Sequence, residues 1–360
     1  MRKSFIGALG ILLSPLCMKA VDGSQAIIVS KVLGNQSCST SGCHGGAGPV
    51  HGTLMFFTRE DAHSRSFGTL ATPRSARMGE ALGIADVTTS PSCTACHAPA
   101  ANVPLIQRGA DLRTAEGVGC ASCHDSSESW LRAHTRKDLT HAEKVATGMR
   151  DLRSAYDRAN TCVACHQVIE SRLVDVGRHP RLIFELDGQT ASEPRHWSEA
   201  LVYDGSKAWF VGQAVAWREA AAARASGADT LAGVVERERA LAWLVRRAGG
   251  GWTAEKTPKT IALECEGQWV STDGVRALQT LAAAGGDFRD TSVSSLEQAY
   301  RAERLVLGLD RLLAAWSNRA KANVAGPALE KLFAAAQSVP DFAPARFADL
   351  LDAFALVIRE

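Results

Sequence analysis

The sequence lacks a strong charge of either sign. Its 40 Lys and Arg residues are balanced by 38 Asp and Glu residues, which leaves a formal net charge of +2. No basic patch stands out, so the composition argues against binding to nucleic acid. Beyond Ala26 there is no apolar run approaching the roughly 20 residues that a membrane-spanning helix needs. Histidine is also absent after residue 196.

The first residues have the pattern of an export signal. Arg2 and Lys3 precede an apolar run from Phe5 to Leu16, and Ser24-Gln25-Ala26 supplies small residues suited to cleavage. We therefore predict a signal peptide over residues 1–26 and a mature protein in the periplasm or outside the cell. A retained N-terminal anchor is the alternative that this pattern leaves open.

Cysteine, in contrast, is plentiful and clustered. Of the ten cysteines, Cys17 falls within the predicted signal and Cys265 stands alone, which we interpret as a buried, inert thiol. The other eight form four local pairs, each followed directly by histidine. The four motifs are Cys38-Ser39-Thr40-Ser41-Gly42-Cys43-His44, Cys93-Thr94-Ala95-Cys96-His97, Cys120-Ala121-Ser122-Cys123-His124 and Cys162-Val163-Ala164-Cys165-His166.

A Cys-x-x-Cys-His motif is the attachment signature of c-type haem. The two thiols form thioethers with the haem vinyl groups, and the adjacent histidine binds the iron. Zinc ribbons, redox dithiols and iron–sulfur clusters also use paired cysteines, but none of them requires a histidine directly after the second one. The motifs therefore predict four covalently bound haem c groups with His44, His97, His124 and His166 as iron ligands. In the first motif the two extra residues must loop out.

Six further histidines are candidates for the second axial position. All of them lie in the segment that carries the attachment motifs, which favours a role as distal ligands, although each could instead bind a haem propionate. Ligation by two histidines gives lower reduction potentials than ligation by histidine and methionine. We therefore expect mostly low-potential haems. The six histidines are His51, His63, His134, His141, His179 and His196, and the methionines that could compete in the mature chain are Met55, Met78 and Met149.

The stretch from Cys38 to Trp197 resembles the tetrahaem cytochrome c-554 family and its larger multihaem relatives. The resemblance covers about half of the chain. It implies a haem-binding fold with little regular structure, haem c as cofactor and electron transfer as activity. The motifs that carry it are Ser37 to Gly46, Asp61-Ala62-His63-Ser64-Arg65-Ser66-Phe67, Gly117 to His124 with Trp130-Leu131 and His134-Thr135, Gly177-Arg178-His179-Pro180-Arg181-Leu182, and Pro194-Arg195-His196-Trp197.

The resemblance also implies which histidines share an iron. His134 is expected to ligate the first haem, held by His44. His63 is expected to ligate the third haem, held by His124. His141 has no counterpart in this scheme, and we interpret it as a surface residue.

Two axial positions stay open. The fourth haem, held by His166, is expected to take His179, with His196 as the second choice. The second haem, held by His97, is five-coordinate in the smallest members of the family. In this chain His196 or His51 could close that position instead.

The composition changes near residue 200. We predict a mainly α fold, with a tetrahaem domain of short helices and loops over residues 27–200 and an α-helical domain over residues 201–360. Helical turns are expected just after each attachment motif. In the second half, Phe347, Leu350, Leu351 and Phe354 follow a helical period, a helix is expected to end at Gly249-Gly250-Gly251, and Pro327 is expected in the first turn of another.

Electron transfer is the function that these features favour, because iron with two histidine ligands has no open position for a substrate. One alternative is a reductase with an open iron at His97. The sequence contains no Cys-x-x-Cys-Lys site, the mark of pentahaem nitrite reductases, and only three tyrosines, so this alternative has less support. Another is a subunit of a cytochrome filament. The expected partners are redox proteins, including a membrane-associated one, or further copies of the chain.

Overall fold

The computed structural model describes residues 30–197, 203–336 and 341–359. The predicted signal peptide lies outside these residues. The molecule is 67% helical, and the described residues contain no β-strand, which confirms the prediction of a mainly α fold. A single isolated bridge pairs Val32 with Arg108. No described helix is both long enough and apolar enough to cross a membrane.

The helices of residues 30–197 are short. Glycine and proline set many of their limits: Pro73 and Pro91 each occupy the first turn of a helix, and Gly83 ends one with a φ of 67°. The helices are α1 (Gly48–His51), α2 (Thr53–Glu60), α3 (Ser66–Leu70), α4 (Pro73–Leu82), α5 (Pro91–His97), α6 (Cys120–His124), α7 (His141–Ala146), α8 (Ala155–His166), α9 (Ser171–Asp175) and α10 (Leu186–Ser192).

Three attachment motifs lie within helices rather than before them. Helices α5, α6 and α8 each contain both cysteines of a motif and end at its histidine. The expectation of a helical turn just after each motif is confirmed at the second motif, where a 3₁₀ turn over Pro99–Asn102 follows His97. It was wrong at the third and fourth motifs, after which the next helical segments begin only at Ala133 and Ser171. The physical reason is that cysteines three positions apart lie on the same face of one helical turn, so the helix itself places the two thiols side by side.

The helices after residue 203 are longer and pack into one core. Each is amphipathic or apolar, and the spacing of buried residues follows the helical period. They are α11 (Gly205–Ser226), α12 (Val234–Gly249), α13 (Pro258–Gln268), α14 (Ser271–Ala282), α15 (Ser295–Ala315), α16 (Arg319–Ala336) and α17 (Pro344–Arg359).

Helix α11 is the centre of this core. It packs against α8, α10, α12, α13, α14 and α15, so most of its circumference is buried. Trp209 and Phe210 are completely buried on it. Gly308 on α15 permits close contact, because a Cβ atom there would lie 2.7 Å from Cζ2 of Trp209. The lone Cys265 is also buried, on α13, as predicted.

Two of the three helix predictions for this half were right. Helix α17 buries Phe347, Leu351 and Phe354, and α12 ends at Gly249. The prediction for Pro327 was wrong, because this residue lies inside α16. The segment before it is rich in alanine and other residues with high helix propensity, so the helix begins at Arg319 and accommodates the proline.

Helix α8 belongs to both halves of the molecule. Its C-terminal turn carries the fourth attachment motif, while Ala155, Ala159 and Val163 lie in the same buried cluster as α11 to α17. Its N-terminus is capped by Glu266 of α13, whose carboxylate accepts bonds from the backbone N–H groups of Ala155 and Tyr156 at 3.1 Å each. The division near residue 200 stays a prediction.

Candidate haem sites

The first attachment motif is built as a loop rather than a helix. A 3₁₀ turn over Asn35–Cys38 leads into the motif, and the backbone N–H of His44 returns to the carbonyl oxygen of Cys38 at 3.1 Å. The two extra residues are accommodated in this loop, as the sequence predicts. The other three motifs keep the helical spacing described above.

The structure brings each motif histidine close to one histidine from outside the motifs. The ring centroids of His44 and His134 are 6.2 Å apart. The ring centroids of His63 and His166, the histidine of the fourth motif, are 6.1 Å apart. Those of His97 and His179 are 6.4 Å apart.

These separations fit two ligands on one iron. Each metal–imidazole bond is about 2.0 Å, and each ring centroid lies about 1.1 Å behind its nitrogen, so two imidazoles on opposite sides of a metal have centroids about 6 Å apart. Burial supports the same interpretation, because it lowers the pKa of His44, His97 and His166. A lowered pKa keeps the ring neutral, the form that binds a metal.

The remaining motif histidine, His124 of the third motif, has His196 as its principal electrostatic neighbour. Burial lowers the pKa of His124 to about 4, and His196 adds more to this shift than any other charged neighbour. Among the other histidines, His134 lowers the pKa of His44, His179 that of His97, and His63 that of His166. Nδ1 of His196 is buried without a hydrogen-bond partner. An unsatisfied imidazole nitrogen in this position fits a metal ligand.

Two expected pairings differ from the structure. His63 faces His166 rather than His124, and His179 faces His97 rather than His166. The sequence analysis left the position opposite His97 open, with His196 or His51 as the histidines that could close it. In the structure His179 lies at this position. The expected proximity of His134 to His44 agrees with the structure.

Neighbouring side chains and carbonyl groups orient most of these rings. Nδ1 of His44 lies 2.8 Å from Oγ1 of Thr53, and Nδ1 of His97 lies 2.9 Å from Oγ1 of Thr69. Nδ1 of His179 lies 2.8 Å from the carbonyl oxygen of Pro180. A bond at Nδ1 fixes the orientation of the ring and leaves Nε2 available to a metal.

His63 is oriented by carboxylates instead. Its Nδ1 lies 3.0 Å from Oδ1 of Asp61 and 3.6 Å from Oε1 of Glu193. The hydrogen bond to Asp61, followed by that to Glu193, raises the pKa of His63 to about 10. Unlike the rings described above, this imidazole must therefore lose its Nε2 proton to bind iron, while Nδ1–H goes on donating to Asp61. The sequence analysis missed both acids as functional residues. Asp61 lies within a motif that carries the family resemblance, but an acid directly before a helical turn is also a common cap.

The motifs come close to one another through their cysteines. The thiol of Cys38 lies within hydrogen-bonding reach of that of Cys120, and the thiol of Cys96 within reach of that of Cys165. Cys123 is near enough to Cys162 to contribute to the rise in the pKa of the latter, which is mainly due to burial. The first motif therefore adjoins the third, the third adjoins the fourth, and the fourth adjoins the second.

The remaining candidates have no described ring contact with a motif histidine. His51 is exposed, with Nδ1 2.7 Å from the carbonyl oxygen of Cys43. His141 is partly exposed and pairs with Asp151 at 3.0 Å, which agrees with its interpretation as a residue outside the ligand set. Met55 is 57% exposed.

Comparison with known proteins gives one match. The family model described as cytochrome c554 and c-prime matches residues 37–125. This segment belongs to the cytochrome c-554 family. No curated protein and no solved structure matches the chain.

The match to the cytochrome c-554 family covers about a quarter of the chain. It includes the first three attachment motifs together with Asp61 and His63, and it implies covalently bound haem c and a role in electron transport. The fourth motif, His134, His179 and His196 lie beyond the matched residues. The longer resemblance to residue 197 and the number of four haems rest on the motifs and the geometry.

Proposed function

We propose that this chain is an exported tetrahaem c-type cytochrome that transfers electrons through closely spaced, mostly bis-histidine haems. The observation that carries the proposal is the pairing of histidines. Three motif histidines each have a non-motif histidine at 6.1 to 6.4 Å between ring centroids, and His196 is the principal charged neighbour of the remaining one, His124. Haem c, when bound, supplies an iron that accepts and returns one electron.

The contacts between motifs support a single path through the molecule. The close approach of Cys38 to Cys120, of Cys123 to Cys162 and of Cys165 to Cys96 gives the order first, third, fourth, second. A linear order of this kind has two ends, one at the first motif and one at the second. We propose that these two ends exchange electrons with different redox partner proteins.

The position of His179 favours electron transfer over the reductase alternative. Catalysis at the second site would need an open position opposite His97, and His179 lies there with a centroid separation of 6.4 Å. The filament alternative has no comparable support, because His196, one of its two proposed inter-subunit ligands, lies near His124 of its own chain. Location in the periplasm or outside the cell rests on the predicted signal.

The proposal is tested by counting haems and determining their spin states. The chain would be expressed in a host that matures c-type cytochromes, and the pyridine haemochrome and the electron paramagnetic resonance (EPR) spectrum of the oxidised protein would be recorded. We expect four haems, all low-spin. The double variant Cys162→Ser/Cys165→Ser should retain three haems, and the matched control Cys265→Ser should retain four.

Two results would contradict the proposal. A haem count below four in the unaltered chain would show that one motif is not used for attachment. Four haems with one high-spin signal would indicate an open iron and would favour the reductase alternative.

A further inference from the structure

The carboxylate beside His63 is unusual among the proposed ligands. Asp61 is only 1% exposed, and its Oδ1 accepts hydrogen bonds from the backbone N–H of His63 at 2.8 Å and from ring Nδ1 at 3.0 Å. Its second oxygen, Oδ2, is buried without a hydrogen-bond partner. Glu193 approaches the same ring nitrogen from another segment. A buried negative charge therefore lies directly behind one imidazole.

The other proposed ligands with a described bond at Nδ1 have neutral partners. These are a threonine hydroxyl for His44 and His97, a carbonyl oxygen for His134 and His179, and the side-chain amide of Gln189 for His166. Asp61 and Glu193 also lie near His196, but no hydrogen bond joins them to that ring. The fourth site thus differs from the others in having a carboxylate hydrogen-bonded at Nδ1 of its ligand, not in the type of ligand.

We propose, on the basis of the proposed function, that Asp61 with Glu193 makes the iron held between His63 and His166 the one with the lowest reduction potential. A carboxylate that accepts the Nδ1 proton increases the electron density on the imidazole and makes it a stronger donor. A stronger donor and a nearby negative charge both stabilise Fe(III) relative to Fe(II). Because Asp61 is buried, solvent screens this charge only weakly.

Asp61 acts here as a positioning and tuning residue, so its test needs a property that a purely structural role would not change. The variant Asp61→Asn keeps an oxygen that can accept both hydrogen bonds, and it removes the charge. We expect the Fe(III)/Fe(II) equilibrium of one haem to shift about tenfold toward Fe(II), which is about 59 mV for one electron. Glu193→Gln should shift the same haem in the same direction by less.

The measurement is a spectroscopic redox titration of the four-haem protein, with EPR g-values recorded for the oxidised form. The matched control is Asp151→Asn, which removes a carboxylate from His141, a histidine outside the four pairs. The control should leave all midpoints nearly unchanged. In Asp61→Asn the lowest midpoint should rise, and the g-values of one low-spin haem should change.

Failure of this inference is distinguishable from failure of the proposed function. Four low-spin haems whose midpoints in Asp61→Asn match those of the control would overturn the tuning role and leave the proposed function intact. A missing or high-spin fourth haem in the unaltered protein would overturn the ligand assignment itself. Bound metal in excess of haem iron that is lost in Asp61→Asn would assign the carboxylates to a cation instead.

Discussion

Replacement of His179 by alanine should open one iron and leave three unchanged. His179 follows α9, where Arg178 adopts a φ of 60° and the backbone N–H of His179 bonds to the carbonyl oxygen of Leu173 at 2.9 Å. These features position the ring opposite His97. Without the imidazole, the iron at the second motif would keep His97 as its only described histidine neighbour.

The size of the effect follows from the number of sites. One haem in four should change from low-spin to high-spin, and the reduced protein should bind about one molecule of carbon monoxide where the unaltered protein binds none. The fold should survive, because His179 is only partly buried and the haem at the second motif would stay attached through Cys93 and Cys96.

The assay combines EPR of the oxidised variant with a carbon monoxide titration of the reduced one. His141→Ala is the matched control, since His141 lies outside the four pairs and pairs with Asp151. It should leave four low-spin haems and no carbon monoxide binding. An unchanged spectrum for His179→Ala, or a high-spin signal in the control, would refute the pairing of His179 with His97.

Three further predictions concern stability. Gly117→Ala should lower the free energy of unfolding by about 1–3 kcal/mol and lower the melting temperature, because φ at Gly117 is 67° and a Cβ atom would lie 2.6 Å from Oγ of Ser66. The control is Gly68→Ala, where a Cβ atom would meet no neighbouring atom within 4 Å, and this variant should be neutral or stabilising. Burial raises the pKa of Glu185 from 4.5 to about 7, so the folded state holds a proton that the unfolded state has lost. The free energy of unfolding should therefore fall as the pH rises from 4.5 to about 7, by up to about 1.4 kcal/mol per pH unit. Denaturant titrations of Glu185→Gln over the same pH range should show a weaker fall. Phe354→Ala, at a fully buried position, should cost about 3–5 kcal/mol in the same titrations, and a loss below 1 kcal/mol would contradict the packing of α17.

Local patterns predicted the parts of the structure that depend on neighbouring residues. The period of Phe347, Leu351 and Phe354 predicted a buried helix face because burial recurs once per turn. The two extra residues between Cys38 and Cys43 predicted a loop. Each of these features is determined within about two helical turns of sequence.

The pairing of histidines could not be predicted in the same way. His63 faces His166, and His97 faces His179, across long stretches of chain, and the choice among several histidines is made by tertiary packing. Asp61 was overlooked for a related reason. Its capping bond is local, whereas its importance depends on Glu193 and on burial beside His63, both of which require the folded chain.

The position of α8 has a consequence for the order of assembly in the cell. Enzymes that attach haem must reach Cys162 and Cys165, yet the same helix is held by α11 and α13 and capped by Glu266. Since α11 and α13 follow α8 in the chain, a chain exported as proposed would present the fourth motif freely only in the interval before those two helices pack. Slower emergence of the C-terminal helices would lengthen that interval, and early packing would leave a protein with three haems and a closed core.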